Sequence, residues 1–161
     1  MYIWNLKKLI QALRNGEVSS KHEKVYQLVL FPLFVLSLAL SPFIYDSFNT
    51  YDLIEFIWFV AATVIGTYWV YRINQKGDQK DFWLRYLMLF VPIALRSLLL
   101  VLVITIIGYA LFVFIPTPDA FFDETNLFDV FVSAASDIYF FYLMISSFKQ
   151  VVFPSQNSNL V

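Results

Sequence analysis

The feature that most constrains this chain is where its bases lie. All eleven Lys and Arg residues fall on one side of a pattern of four long apolar runs, or within a helix entered from that side. Lys7, Lys8, Arg14, Lys21 and Lys24 precede the first run, and Arg72, Lys76, Lys80 and Arg85 separate the second from the third. Arg96 begins the most apolar stretch of the third, and Lys149 closes the fourth. The two remaining loops and their flanks carry Asp46, Asp52, Glu55, Asp119, Asp123, Glu124 and Asp129 and no base. Lys and Arg are held back on the cytoplasmic side during insertion. The expected fold is therefore an all-α integral membrane protein, with four transmembrane helices in a bundle and both termini cytoplasmic (N-in/C-in). The expected location is a bacterial cytoplasmic (inner) membrane.

Of the 161 residues 60% are hydrophobic and 14% charged, against roughly 45–50% and 25% in soluble domains. Four spans of about 20 residues use about half the chain, so a single membrane domain over 1–161 is expected. The spans are placed at about 28–45, 53–72, 92–115 and 127–152, with 153–161 as a polar tail. A cleaved signal peptide fits poorly, because a long charged leader precedes the first apolar run. No dense basic patch with interleaved aromatics occurs, so nucleic acid is not an expected partner. There is no Cys, which excludes disulfides, thiolate chemistry and Cys-ligated metals.

Residues 2–15 read as an amphipathic helix, with Tyr2, Ile3, Leu6, Leu9, Ile10 and Leu13 on one face and Lys7, Lys8, Gln11 and Arg14 on the other. Gly16 is its natural stop. Such a helix can lie in the cytoplasmic headgroup layer, or pack on the protein's own cytoplasmic face. Ser20 and Glu23 form a capping box ahead of the first span. Residues 82–115 as one helix would measure about 50 Å at about 1.5 Å per residue, against a hydrocarbon core of about 30 Å. The segment 81–95 is thus expected to be tilted or interfacial and to bend near Pro92. The string from Gly77 through Asp78 to Arg85 reads as a defined inner-loop motif without an assignable activity.

Asp137 is the sharpest functional candidate, about ten residues and so about 15 Å into the fourth span. A carboxylate at that depth points to a proton or cation site, or to a polar group gluing helices together. Ser133, one turn earlier, and Thr63 and Thr67 in the second span are its expected polar companions. The small residues Ala62, Thr63, Gly66 and Thr67 form a close-packing surface expected to face it. Arg85 and Arg96, eleven residues apart on one helix face, are candidate lipid or anion ligands with Lys7, Lys8 and Arg14. Snorkelling of Arg96 to the interface is the simpler alternative. A direct Arg96–Asp137 pair is disfavoured by a separation of about 10 Å or more along the bilayer normal.

His22 is the only histidine, so no transition-metal site is expected. No phosphate loop, nucleophile elbow or other catalytic motif appears, and no catalytic residue or cofactor is expected. The favoured function is non-enzymatic, a structural or interaction role in which the cytoplasmic face meets anionic headgroups or a partner protein. That partner can be a second copy of the chain or another membrane protein. The alternative is a small transporter or channel subunit using Asp137, and a lipid-modifying membrane enzyme is the least favoured reading.

Overall fold

The computed structural model describes residues 5–18, 24, 25, 28, 48–112, 114 and 124–153. Within them the chain forms four helices and no strand: α1 (Leu6–Asn15), α2 (Thr50–Lys76), α3 (Phe82–Phe112) and α4 (Leu127–Val152). The last three are long and apolar enough to cross a membrane. The first expected span beyond Leu28, the Ser20–Glu23 capping box, His22, the loop around Phe121 and Phe122, and the tail from Pro154 lie outside the described residues.

α1 begins at Leu6 because Asn5 caps it: the Asn5 side chain accepts the Lys8 amide at 3.0 Å, relieving one of the free first-turn donors. The helix expected from residue 2 therefore has its described start later, at a polar residue the apolar periodicity skipped. Gly16 ends it at φ +69° and donates its amide to the Ala12 carbonyl. Leu6, Leu9, Ile10, Ala12 and Leu13 are buried, and the helix packs on both α4 and α3.

α4 is the central helix and packs along both α2 and α3. The main core lies at the α1 end of the bundle, where Leu9, Val70, Met88, Leu89, Met144 and Phe148 are buried together. Gly66 lets α2 approach α4 closely, since a Cβ there would overlap the Phe141 ring. Beyond that core the helices turn apolar side chains outward, including Phe56 and Ile65 on α2, Leu102 and Ile106 on α3, and Phe131 and Ile138 on α4. Such continuous exposed apolar surface suits hydrocarbon rather than water.

α3 is helical without interruption from Phe82 through Pro92 to Phe112, 31 residues or about 46 Å. A division near Pro92 appears in the packing. Buried positions run from Arg85 to Ser97, and from Leu98 onward the exposed side chains are apolar. Pro92 itself is buried among the packed residues.

Candidate functional sites

The turn joining α2 to α3 is built around Asn74. Its carbonyl accepts the amides of Gly77 and Gln79, its Nδ2 donates to the Lys80 carbonyl at 3.1 Å, and its Oδ1 accepts Arg85 at 3.0 Å. Arg85 also forks onto Asp78 at 2.5 and 2.6 Å. The Arg85 guanidinium, by hydrogen bonding and charge, holds the Asp78 carboxyl below its ordinary range despite partial burial. Gln79 takes a positive φ of 55°, a left-handed position that the surrounding hydrogen bonds hold in place. The motif from Gly77 to Arg85 is thus a locked hairpin. Arg85, a candidate lipid ligand in sequence, is buried and has an internal partner.

At the opposite end, α2 and α4 open with the same device. Asn49 accepts the amides of Tyr51 and Asp52 while Asp52 accepts the Asn49 amide, and Asn126 and Asp129 repeat the pattern. These are reciprocal capping boxes. They are stitched together: Asn49 donates to the Thr125 carbonyl at 2.8 Å, and Thr125 donates to Asp52 at 2.6 Å. Tyr109 of α3 joins them by donating to Asp129 at 2.7 Å and accepting from Asn126 at 3.3 Å.

Below these caps lies a cavity of about 280 Å³ lined by Glu55, Thr105, Asp129, Ser133, Ser136 and Asp137, with Val101 and Val132. Ser133 lies beside Glu55 and Trp58 beside Asp137. One carboxylate oxygen of Asp137, Oδ2, is buried without a hydrogen-bond partner. Three helices thus bring three carboxyl groups and three hydroxyls to one space. Among the described residues that line it there is no base. Among the described residues no group of His, Cys, Asp and Glu is arranged to hold a metal ion.

Ser133 and Asp137 share this cavity; Thr63 and Thr67 do not. Those two threonines line a separate, mostly apolar space of about 420 Å³ with Tyr71, Phe82 and Trp83, and Thr67 hydrogen-bonds the Tyr86 hydroxyl at 3.2 Å. Of the small α2 residues Gly66 meets α4, against Phe141, one turn beyond Asp137. Glu55 and Asp129 were read in sequence only as acids of the outer flanks. The repeated Asn-x-x-Asp at 49–52 and 126–129 carried a legible signal for the caps. Nothing in the linear order announced that Glu55 would meet Asp137.

Lys7, Lys8 and Arg14 are exposed on the outward face of α1. Arg96 is half-buried and lines a cavity between α1, α3 and α4 that Lys7 also borders. Arg85 and Arg96 share a helix face but stand about 16 Å apart along it. One reaches the α2–α3 turn and the other the α1–α4 seam. The chain matches no protein-family model, no curated protein sequence and no solved structure.

Proposed function

We propose that the chain is a multi-pass protein of the bacterial cytoplasmic membrane, with four spans and both termini cytoplasmic, acting by interaction rather than catalysis. In this reading α1 is a fixed basic platform on the cytoplasmic face that meets anionic headgroups or a partner membrane protein, a second copy included. The observation that carries it is the division of α1, whose apolar residues are buried in the bundle while Lys7, Lys8 and Arg14 face outward. A helix already seated on its own protein does not need its apolar face to reach lipid, so its cations remain for recognition. Arg72, Lys76 and Lys80, exposed near the α2–α3 turn, add to the charge of the same end.

The test is the combined substitution of Lys7, Lys8 and Arg14 by Gln, followed by native mass spectrometry of the purified protein. Bound anionic lipid or partner should fall several-fold while the protein still inserts and folds. Unchanged lipid and partner content would sink the proposal.

A second reading, a small transporter or channel subunit, is favoured by the unpartnered Asp137 oxygen in a cavity shared with Glu55 and Asp129. Concentrated negative charge in low dielectric calls for a proton or a cation as company. Asp137→Asn should then abolish a proton- or cation-coupled flux in proteoliposomes with the assembly intact. If the group serves only packing, the same change alters detergent stability and there is no flux to lose.

A further inference from the structure

α2 and α3 both pack on α4 and make little direct contact with each other. Long side chains span the gap between them. Tyr71 meets Phe82 edge to face with ring centroids 5.4 Å apart, and Thr67 shares a hydrogen bond of 3.2 Å with the Tyr86 hydroxyl. Beside these bridges lies the mostly apolar groove of about 420 Å³, within the roughly 300–1,000 Å³ that ligand pockets occupy. It opens outward, since Val64, Tyr68 and Trp83 in its lining are exposed. From Thr63 to Tyr71 its α2 wall runs about 12 Å along the helix.

The groove has a charged end. Arg72 holds its guanidinium 5.8 Å from the centre of the Tyr68 ring, close enough for a cation–π attraction. An aromatic ring steadies the cation at the groove without cancelling its charge or taking up its planar fork of donors. The acid of the adjoining turn, Asp78, is already bound to Arg85. Lys76 and Lys80, flanking the same turn, are exposed, against one further acid, Asp81.

We infer that this groove binds an anionic phospholipid, with one acyl chain lying between α2 and α3 and the phosphate meeting Arg72. Each half of the site suits one half of the lipid. Val64, Tyr68, Tyr71 and Trp83 offer carbon and ring surface to the chain, and Tyr86 engages the Thr67 hydroxyl that would otherwise face hydrocarbon. Basic pockets between membrane helices on the cytoplasmic side suit anionic headgroups. A zwitterionic lipid gains less, because its own cation is repelled by Arg72 and Lys76. Ordinary lipid contact along an apolar helix face explains the exposed side chains, but it gives no headgroup preference at this position. The site is separate from the α1 platform. It rests on the reading that α2 and α3 cross the membrane with their connecting turn at the headgroup layer.

Trp83, 68% exposed in the groove wall, is the reporter. Replacing Trp4, Trp58 and Trp69 by Phe in the full chain leaves it the only tryptophan. The protein is reconstituted in phosphatidylcholine vesicles holding a fixed small fraction of lipid brominated on its acyl chains, either phosphatidylglycerol or phosphatidylcholine. Bromine quenches only a nearby indole, so quenching reads occupancy of the groove. Phosphatidylglycerol should be favoured about fivefold at Trp83. Arg72→Gln should abolish the preference, and Val64→Phe, which fills an exposed part of the groove, should weaken quenching by both lipids. The Lys7, Lys8 and Arg14→Gln variant should keep the preference. If the three Phe replacements prevent folding, native mass spectrometry of the chain with its own tryptophans decides, and Arg72→Gln should retain less phosphatidylglycerol than the wild type. Equal quenching by the two lipids, or a preference that survives Arg72→Gln, overturns the inference. Unchanged quenching in Val64→Phe, or equal lipid retention by Arg72→Gln and wild type, also overturns it. Loss of the preference in the α1 variant alone would assign recognition to α1 and remove the groove. Unchanged total lipid in the α1 variant, with the preference at Trp83 intact, would remove the platform and leave the groove standing.

Discussion

A buried arginine is tolerable only when its charge is answered, and Arg85 is answered twice, by Asp78 and by Asn74. Asp78→Asn removes the countercharge and leaves a guanidinium only 5% exposed. Breaking a fully buried pair costs about 3–5 kcal/mol. Because the Asp78 side chain is 32% exposed, water replaces part of what is lost, and about 2 kcal/mol is the expected loss. The pH dependence has a definite sign. The folded protein holds the Asp78 carboxyl below its ordinary value, so the pair stabilises fully above the ordinary carboxylate range near about pH 4. That contribution is lost as pH falls through the lowered folded value. Detergent unfolding of wild type and Asp78→Asn should differ at neutral pH and converge in acid; a constant difference would refute the pairing as the cause. Residue types in the 77–85 string were legible, but their convergence was not, because Asn74 precedes the string and looks like an ordinary polar helix end.

Among elements, the apolar runs and the stop at Gly16 made the helices readable, while the way the helices meet was only half readable. The small residues of α2 were expected to form a close-packing surface facing Asp137, a reading that named the neighbouring helix but not which of the small residues would meet it. The structure assigns Gly66 to Phe141 of α4 and turns Thr63 and Thr67 toward the α3 side. Gly66→Ala should therefore cost about 1–3 kcal/mol by overpacking, and Phe141→Leu in the same chain should recover part of it. Thermal unfolding of the two single variants and the double variant checks this, and strict additivity would show that the two residues are not in contact. Pro92 was read as the place where the segment bends, and the helix runs through it without interruption. Proline removes one helical hydrogen bond, and the packing of residues around it keeps α3 continuous.

At the scale of the molecule, the two ends do different work with opposite charge. The α1 end holds the main apolar core and the locked hairpin, and the other end is held by a polar network of Asn49, Asp52, Tyr109, Thr125, Asn126 and Asp129. Asp137→Asn is decided at this scale, because its cavity is shared by α2, α3 and α4 and any flux must pass between them. The stitched caps also fix the relative direction of two helices. α2 and α4 start side by side at Asn49 and Asn126, and they end side by side where Gly77 meets Val152. They therefore run parallel, so their peptide dipoles add rather than cancel. Two helix N-termini, each equivalent to about half a positive charge, sit together over Asp52 and Asp129, and two C-termini sit together over Lys76 and Lys149. Acids at one end and bases at the other are thus the complement that a parallel helix pair demands of itself. Exchanging those charges would strain the pair even in a chain that had already inserted the right way round.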